Sequence, residues 1–171
     1  MSKTRIFSVV GARPQFVKAA IVSQALEKYP NVEHAIVHTG QHYDQNMSDV
    51  FFEELGMPAP AFNLHISASG HGAMTGRMLE ALEKLYIDEK PDVVVVYGDT
   101  NSTLAGALAA AKIHLPLAHV EAGLRTGDIA SPFPEEANRR LIGQLTALHL
   151  CPTAESKDNL LRENTPPESI R

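Results

Sequence analysis

Pro91 introduces a run, Asp92-Val93-Val94-Val95-Val96-Tyr97, that constrains this chain more than any other segment. Four consecutive valines leave neither face polar. A strand made of them must be covered on both sides, as central strands of parallel sheets are. Segments of the same character precede and follow it. Arg5–Val10 is apolar, β-branched and stops at Gly11; His34–His38 is a second short strand ended by Thr39-Gly40; residues 115–120 and 147–151 read as two more.

Helical spacing fills the intervals. Phe16, Ala19, Ala20, Val22 and Leu26 recur at helical steps, and Pro14 suits a first turn, where a missing N–H costs nothing. Residues 46–55 have helical spacing and close at Gly56, with Pro58 and Pro60 beyond. Further helices are predicted over 72–85, 100–112, 135–145 and 153–163, with a Gly- and Pro-containing loop over 122–134. Strands alternating with helices through short connections imply an α/β fold, a Rossmann-like parallel sheet with helices on both faces. At 171 residues, one domain is expected.

Composition excludes several roles. Net charge is −5 with no run of like charge, so neither nucleic acid nor an anionic membrane is an expected partner. The lone Cys151 forms no internal disulfide and fits a reducing compartment; it reads as a packed thiol. The apolar run Ile6–Val10 is too short for a signal-peptide core or a membrane span, and a cytoplasmic protein is expected.

In sheets of this kind ligands sit beyond the carboxyl ends of the strands. Gly11-Ala12-Arg13-Pro14 follows the first strand, with Lys18 further along the helix. This is either an anion site, with a glycine permitting close approach and helix N–H groups free, or a tight turn with two solvated cations. Tyr97-Gly98-Asp99-Thr100-Asn101-Ser102 ends the valine strand. Asp99, Thr100 and Asn101 can all cap the next helix, and three such residues exceed what one helix needs. His119-Val120-Glu121-Ala122-Gly123-Leu124-Arg125 repeats the pattern, either as a second acid in the crevice or as a surface Glu121–Arg125 ion pair. In Pro134-Glu135-Glu136, Glu136 reads as an ordinary helix-start acid and Glu135 as facing the crevice. Three acids sharing one site would raise one another's pKa, the usual route to a carboxyl that exchanges protons near neutrality. His34, His38 and His42 recur every four residues, but on a strand this only puts two rings on one face, and no metal site is expected.

Taken together, Gly11-Ala-Arg-Pro-Gln15 with Lys18, Thr39-Gly-Gln-His42, Tyr97-Gly-Asp-Thr100, His119-Val-Glu-Ala-Gly-Leu-Arg125 and Pro134-Glu-Glu-Ala-Asn-Arg139 resemble the non-hydrolysing UDP-N-acetylglucosamine 2-epimerases in order and spacing. The resemblance covers essentially the whole chain. It implies one half of a two-domain B-type glycosyltransferase fold and an isomerase that inverts C2 of a UDP-sugar by eliminating UDP and adding it back to a glycal. It implies Asp99, Glu121 and Glu135 as acid/base and charge-stabilising carboxylates. Arg13, Lys18, Gln41, His42, Thr100 and Arg125 would contact substrate; no cofactor is required.

Family chains are about twice this length. The second domain, which supplies most uridine and diphosphate contacts and a catalytic histidine, is absent from residues 1–171. The resemblance therefore implies an N-terminal domain inactive by itself, with an exposed cleft wall, a tendency to self-associate (the family is usually dimeric) and a parent role in polysaccharide supply. Gln41-His42-Tyr43-Asp44 lacks the second glutamine of allosterically regulated members, so that effector site is not carried over. Two alternatives stand beside this reading. The Gly11–Gln15 and His38–His42 motifs also resemble relatives acting on UDP-2,3-diacetamido-glucuronic acid, whereas the 125–134 loop resembles the N-acetylglucosamine enzymes. A non-catalytic nucleotide-sugar-binding module is the other.

Overall fold

The computed structural model describes residues 3–40, 52, 54–67 and 70–171. The predicted helix over 46–55 and the candidate residues Gln41 and His42 lie almost wholly or wholly outside them. Six strands, β1 (Thr4–Val10), β2 (Val32–His38), β3 (Phe62–Asn63), β4 (Val93–Tyr97), β5 (Leu117–Val120) and β6 (Leu148–Leu150), form one sheet in the order β3-β2-β1-β4-β5-β6. All neighbours pair in parallel. The helices described are α1 (Arg13–Leu26), α2 (His71–Glu89), α3 (Asn101–Lys112), α4 (Glu135–Leu145) and α5 (Ala154–Arg162).

The valine strand shows why the sheet has two coats. With side chains alternating, Val94 and Val96 enter one core with Phe7, Val9, Met78 and Leu82, together with α3 alanines and Ile142 of α4. Val95 and Tyr97 enter the other, with Phe16, Ala19 and Ala20 of α1. So α2, α3 and α4 cover one face and α1 the other. Chain direction across the sheet reverses between β1 and β4, the switch point where the loops splay apart and leave a crevice.

Most element ends differ from the sequence reading by a residue or two. The larger difference is α2, which runs to Glu89 rather than 85. Tyr86, four residues after Leu82, is fully buried with it, and the helix closes only at Lys90 in the left-handed conformation. β3 escaped the sequence reading, being two residues long and pairing only Phe62 and Asn63 with the end of β2. Among the described residues no helix is long and apolar enough to cross a membrane.

Candidate active site

The loop after β1 is organised by Gln15, which is buried at the third position of α1. Its Oε1 accepts from the Gly11 amide at 2.8 Å and the Ala12 amide at 3.0 Å. Its Nε2 donates to the Tyr97 carbonyl at 2.7 Å, Thr103 Oγ1 at 2.8 Å and Thr100 Oγ1 at 3.0 Å. One side chain thus fastens the β1 loop to the β4 loop. This corrects part of the anion-site reading, because the Gly11 and Ala12 N–H groups are already used inside the protein. The reason for glycine also changes. A Cβ on Gly11 would drive into the Ser102 and Thr39 hydroxyls, so the close approach is to the chain itself. Arg13 stands exposed at the first helical position, and Lys18 forms an ion pair with Glu121.

At the end of β4, capping falls to Thr100, whose side chain accepts from the Thr103 amide. Asp99 is therefore released from that role. Its carbonyl accepts from Asn138 Nδ2 at 2.8 Å, and its Oδ2 receives Arg139 Nε at 2.8 Å and lies 2.7 Å from Arg139 Nη2. Both guanidinium donors use one oxygen, leaving Oδ1 without a hydrogen bond among the described residues.

On β5, His119 is buried with its ring Nε2 2.6 Å from the Gly98 carbonyl; that acceptor requires the proton on Nε2. Burial pushes the imidazole down to about 4, so the ring is neutral at ordinary pH. It joins the β5 strand to the β4 loop just below Glu121. Glu121 has φ 69°, a left-handed conformation that is costly for a residue with a Cβ and that clusters at functional sites. The turn aims its carboxylate over Gly98. A side chain there would start 3.3 Å from Glu121 Oε2 and 4.0 Å from Lys18 Nζ, and Gly98 itself has φ 64°. A cleft of about 450 Å³ opens beside this pair, lined by Lys18, Val120, Glu121, Leu150, Cys151 and Arg171. The half-buried Cys151 thiol is pushed up by burial, consistent with a packed rather than a reactive group.

The two acids that open α4 behave differently. Glu136, expected to be an ordinary helix-start acid, is fully buried. It accepts from the Thr126 amide at 3.1 Å, Arg140 Nε at 3.2 Å and Arg139 Nη1 at 3.4 Å. Burial works to raise its pKa, but the Thr126 amide and the arginines outweigh that and hold it below the usual carboxylate value. Glu135 is half-buried and makes no hydrogen bond among the described residues. Asn138 and Arg139, three and four residues on, both reach Asp99, so Glu135 lies one turn up the helix face that meets the β4 loop.

Arg125 is almost wholly buried. Its Nε and Nη2 donate to the two oxygens of Glu163 at 2.7 Å each, and Nη1 to the Leu124 carbonyl. The surface Glu121–Arg125 pair therefore does not form; each residue has another partner. Two of the three acids are paired with cations, Glu121 with Lys18 and Asp99 with Arg139, whereas Glu135 has no ion pair among the described residues. His34 engages Ser8 and Ser23 through its two ring nitrogens.

The structure is a doubly wound α/β domain whose acids at the ends of β4 and β5 pair with cations on α4 and α1. The chain belongs to the UDP-N-acetylglucosamine 2-epimerase family, whose pattern matches residues 24–171. It is 53% identical over 159 residues to the UDP-2,3-diacetamido-2,3-dideoxy-D-glucuronate 2-epimerase of Pseudomonas aeruginosa, an alignment covering 93% of this chain and 44% of that one. It is 50% identical over 155 residues to the UDP-N-acetylglucosamine 2-epimerase of Methanocaldococcus jannaschii, covering 91% and 42%. A crystal structure of a Methanocaldococcus jannaschii UDP-GlcNAc 2-epimerase with UDP-GlcNAc and UDP superimposes with a TM-score of 0.93 at 46% identity, covering 98% of this chain and 45% of that one. The chain spans less than half the length of the curated relatives it matches.

Proposed function

We propose that this chain is the carboxylate-bearing N-terminal domain of a UDP-sugar 2-epimerase acting on UDP-N-acetylglucosamine to give UDP-N-acetylmannosamine. The observation that carries the reading is the Lys18–Glu121 pair above Gly98, beside a cleft at the carboxyl edge of the sheet. A C2 proton has no adjacent carbonyl to acidify it, so charge must first build at C1. The C1–O bond breaks, its electron pair leaves with UDP, and the C2 proton passes to a carboxylate, giving a glycal. Protonation of C2 from the other face and return of UDP to C1 complete the inversion. Asp99, Glu121 and Glu135 serve the positive charge and the proton; Lys18 and Arg13 serve the departing diphosphate. An incoming diphosphate competes with Glu121 for Lys18, so binding frees the carboxylate when a base is needed. Thr100, Gln41 and His42 complete the sugar side, and Arg125 acts through the loop it anchors.

A second domain supplies the uridine contacts in this reading, and the working enzyme is a cytoplasmic homo-oligomer feeding polysaccharide synthesis. The 171 residues alone turn nothing over. NMR in D2O tests this. The full-length parent incorporates deuterium at C2 of UDP-N-acetylglucosamine, and Glu121→Gln abolishes the incorporation. A parent that leaves C2 protonated ends the proposal, and turnover by the isolated chain ends its two-domain part. The 53% identity to the diacetamido-glucuronate enzyme motivates a second reading with the same chemistry on that sugar. Assaying the parent on both substrates separates them, and strong preference for the glucuronate selects the second.

A further inference from the structure

A second cleft, of about 320 Å³, opens between the turn after Arg125, the outer side of α4 and the end of α5, with Arg125, Arg140, Arg162, Asn159 and Glu163 in its walls. We propose that it is a binding site for a small phosphate dianion, either inorganic phosphate or a phosphate monoester.

Three guanidinium groups face one carboxylate there. Glu163 is consumed by Arg125, which is held rigid at 7% side-chain exposure with both acid oxygens at 2.7 Å. Arg140, which lines the cleft, spends its Nε on Glu136, and its two terminal nitrogens make no hydrogen bond among the described residues. Among the described residues Arg162 has a neutral partner alone, Asn159 Oδ1 at 3.0 Å on its own helix. Arg125 and Glu163 form one neutral pair, and Arg139 and Arg140 balance Asp99 and Glu136 in a second neutral network. Arg162 has no acid partner among the described residues, so its positive charge is the one these pairs leave uncompensated at the cleft. Planar guanidinium forks with unused N–H pairs match the oxygens of a phosphate, which they hold through two parallel bonds. The volume lies at the bottom of the small-ligand range of roughly 300–1,000 Å³, suiting a monophosphate and excluding a whole nucleotide sugar. This site is independent of the Lys18 crevice and does not rest on the epimerase reading.

Phosphate titrated at fixed ionic strength, followed by NMR of backbone amides and arginine Nε–H groups, tests it. Saturable shifts are expected at residues 125–127 and 159–163. Arg162→Gln, which loses only a bond within its own helix, should weaken binding about tenfold, as expected for one charge-assisted bond. Arg140→Gln should act alike, whereas Lys18→Gln should leave these shifts unchanged. Repeating the titration with glucose 1-phosphate separates the two sources by which binds more tightly. Shifts that rise linearly without saturation, or saturable shifts that survive Arg162→Gln or vanish in Lys18→Gln, overturn the proposal.

Discussion

Replacing Gln15 by methionine should be among the most damaging single changes in the domain. The two side chains have similar length and shape, so the loss is almost purely of hydrogen bonds. On the acceptor side, the buried Gly11 and Ala12 amides lose their only partner among the described residues. On the donor side the damage is small. The Tyr97 carbonyl keeps Thr103 Oγ1 at 2.7 Å, and the two threonines keep each other. Two orphaned buried amides at about 1–3 kcal/mol each predict a loss of about 2–6 kcal/mol, a large share of the roughly 5–15 kcal/mol that stabilises a typical domain. Urea denaturation read by circular dichroism measures it as a fall in midpoint at constant slope. Gln15→Glu refines the test. Its carboxylate still accepts from both amides but faces the Tyr97 and threonine oxygens with no cation. Its folded pKa is therefore raised, the folded state binds the extra proton, and the destabilisation grows as pH rises through that pKa. A cost below about 1 kcal/mol for Gln15→Met, or a Gln15→Glu variant that gains stability as pH rises, would refute the clamp.

His119 and His38 are both pushed down to about 4 by burial, so the unfolded chain binds protons that the folded one refuses. Stability should fall as pH drops from about 6.5 towards 4, by about 1.4 kcal/mol per unit for each ring; His119→Gln should make the profile shallower, and an unchanged slope contradicts the assignment. Glu121→Asn places a residue tolerant of left-handed geometry at φ 69°. It should raise the melting temperature while removing C2 exchange in the parent, and a drop in melting temperature would show that the Lys18 pair outweighs the strain. Tyr86 is fully buried, and its hydroxyl finds no hydrogen-bond partner among the described residues. Tyr86→Phe should therefore be neutral or stabilising by about 1 kcal/mol in denaturant melts, and clear destabilisation would reveal a hidden partner.

The architecture was legible because strands such as Val93–Tyr97 advertise burial on both faces in consecutive residues, and α4 is bracketed by Pro134-Glu135 at its start. The placing of Asp99 and Glu121 at strand ends followed from that regularity. What bonds to them did not. Gln15 meets partners 82 to 88 residues away, and Arg139 reaches back 40 residues to Asp99. A helix-surface arginine and a polar residue near a helix start look solvated in one dimension. Glu136 reads as an ordinary helix-start acid yet is fully buried, since adjacent helical residues point about 100° apart and only packing decides which turns inward. A signal was present, because Glu136 lies seven residues before the buried Gly143 and four before Arg140, a polar residue on a stripe that returns to the interior.

Asp99 is grasped twice by α4, once at its main chain and once at its carboxylate. In chimeras between relatives, exchanging the valine strand and its loop without Asn138 and Arg139 would transplant an acid stripped of its mounting. The heritable unit at that corner of the molecule is discontinuous, a loop and a helix separated by nearly forty residues, and swaps that respect it should keep function where contiguous ones lose it.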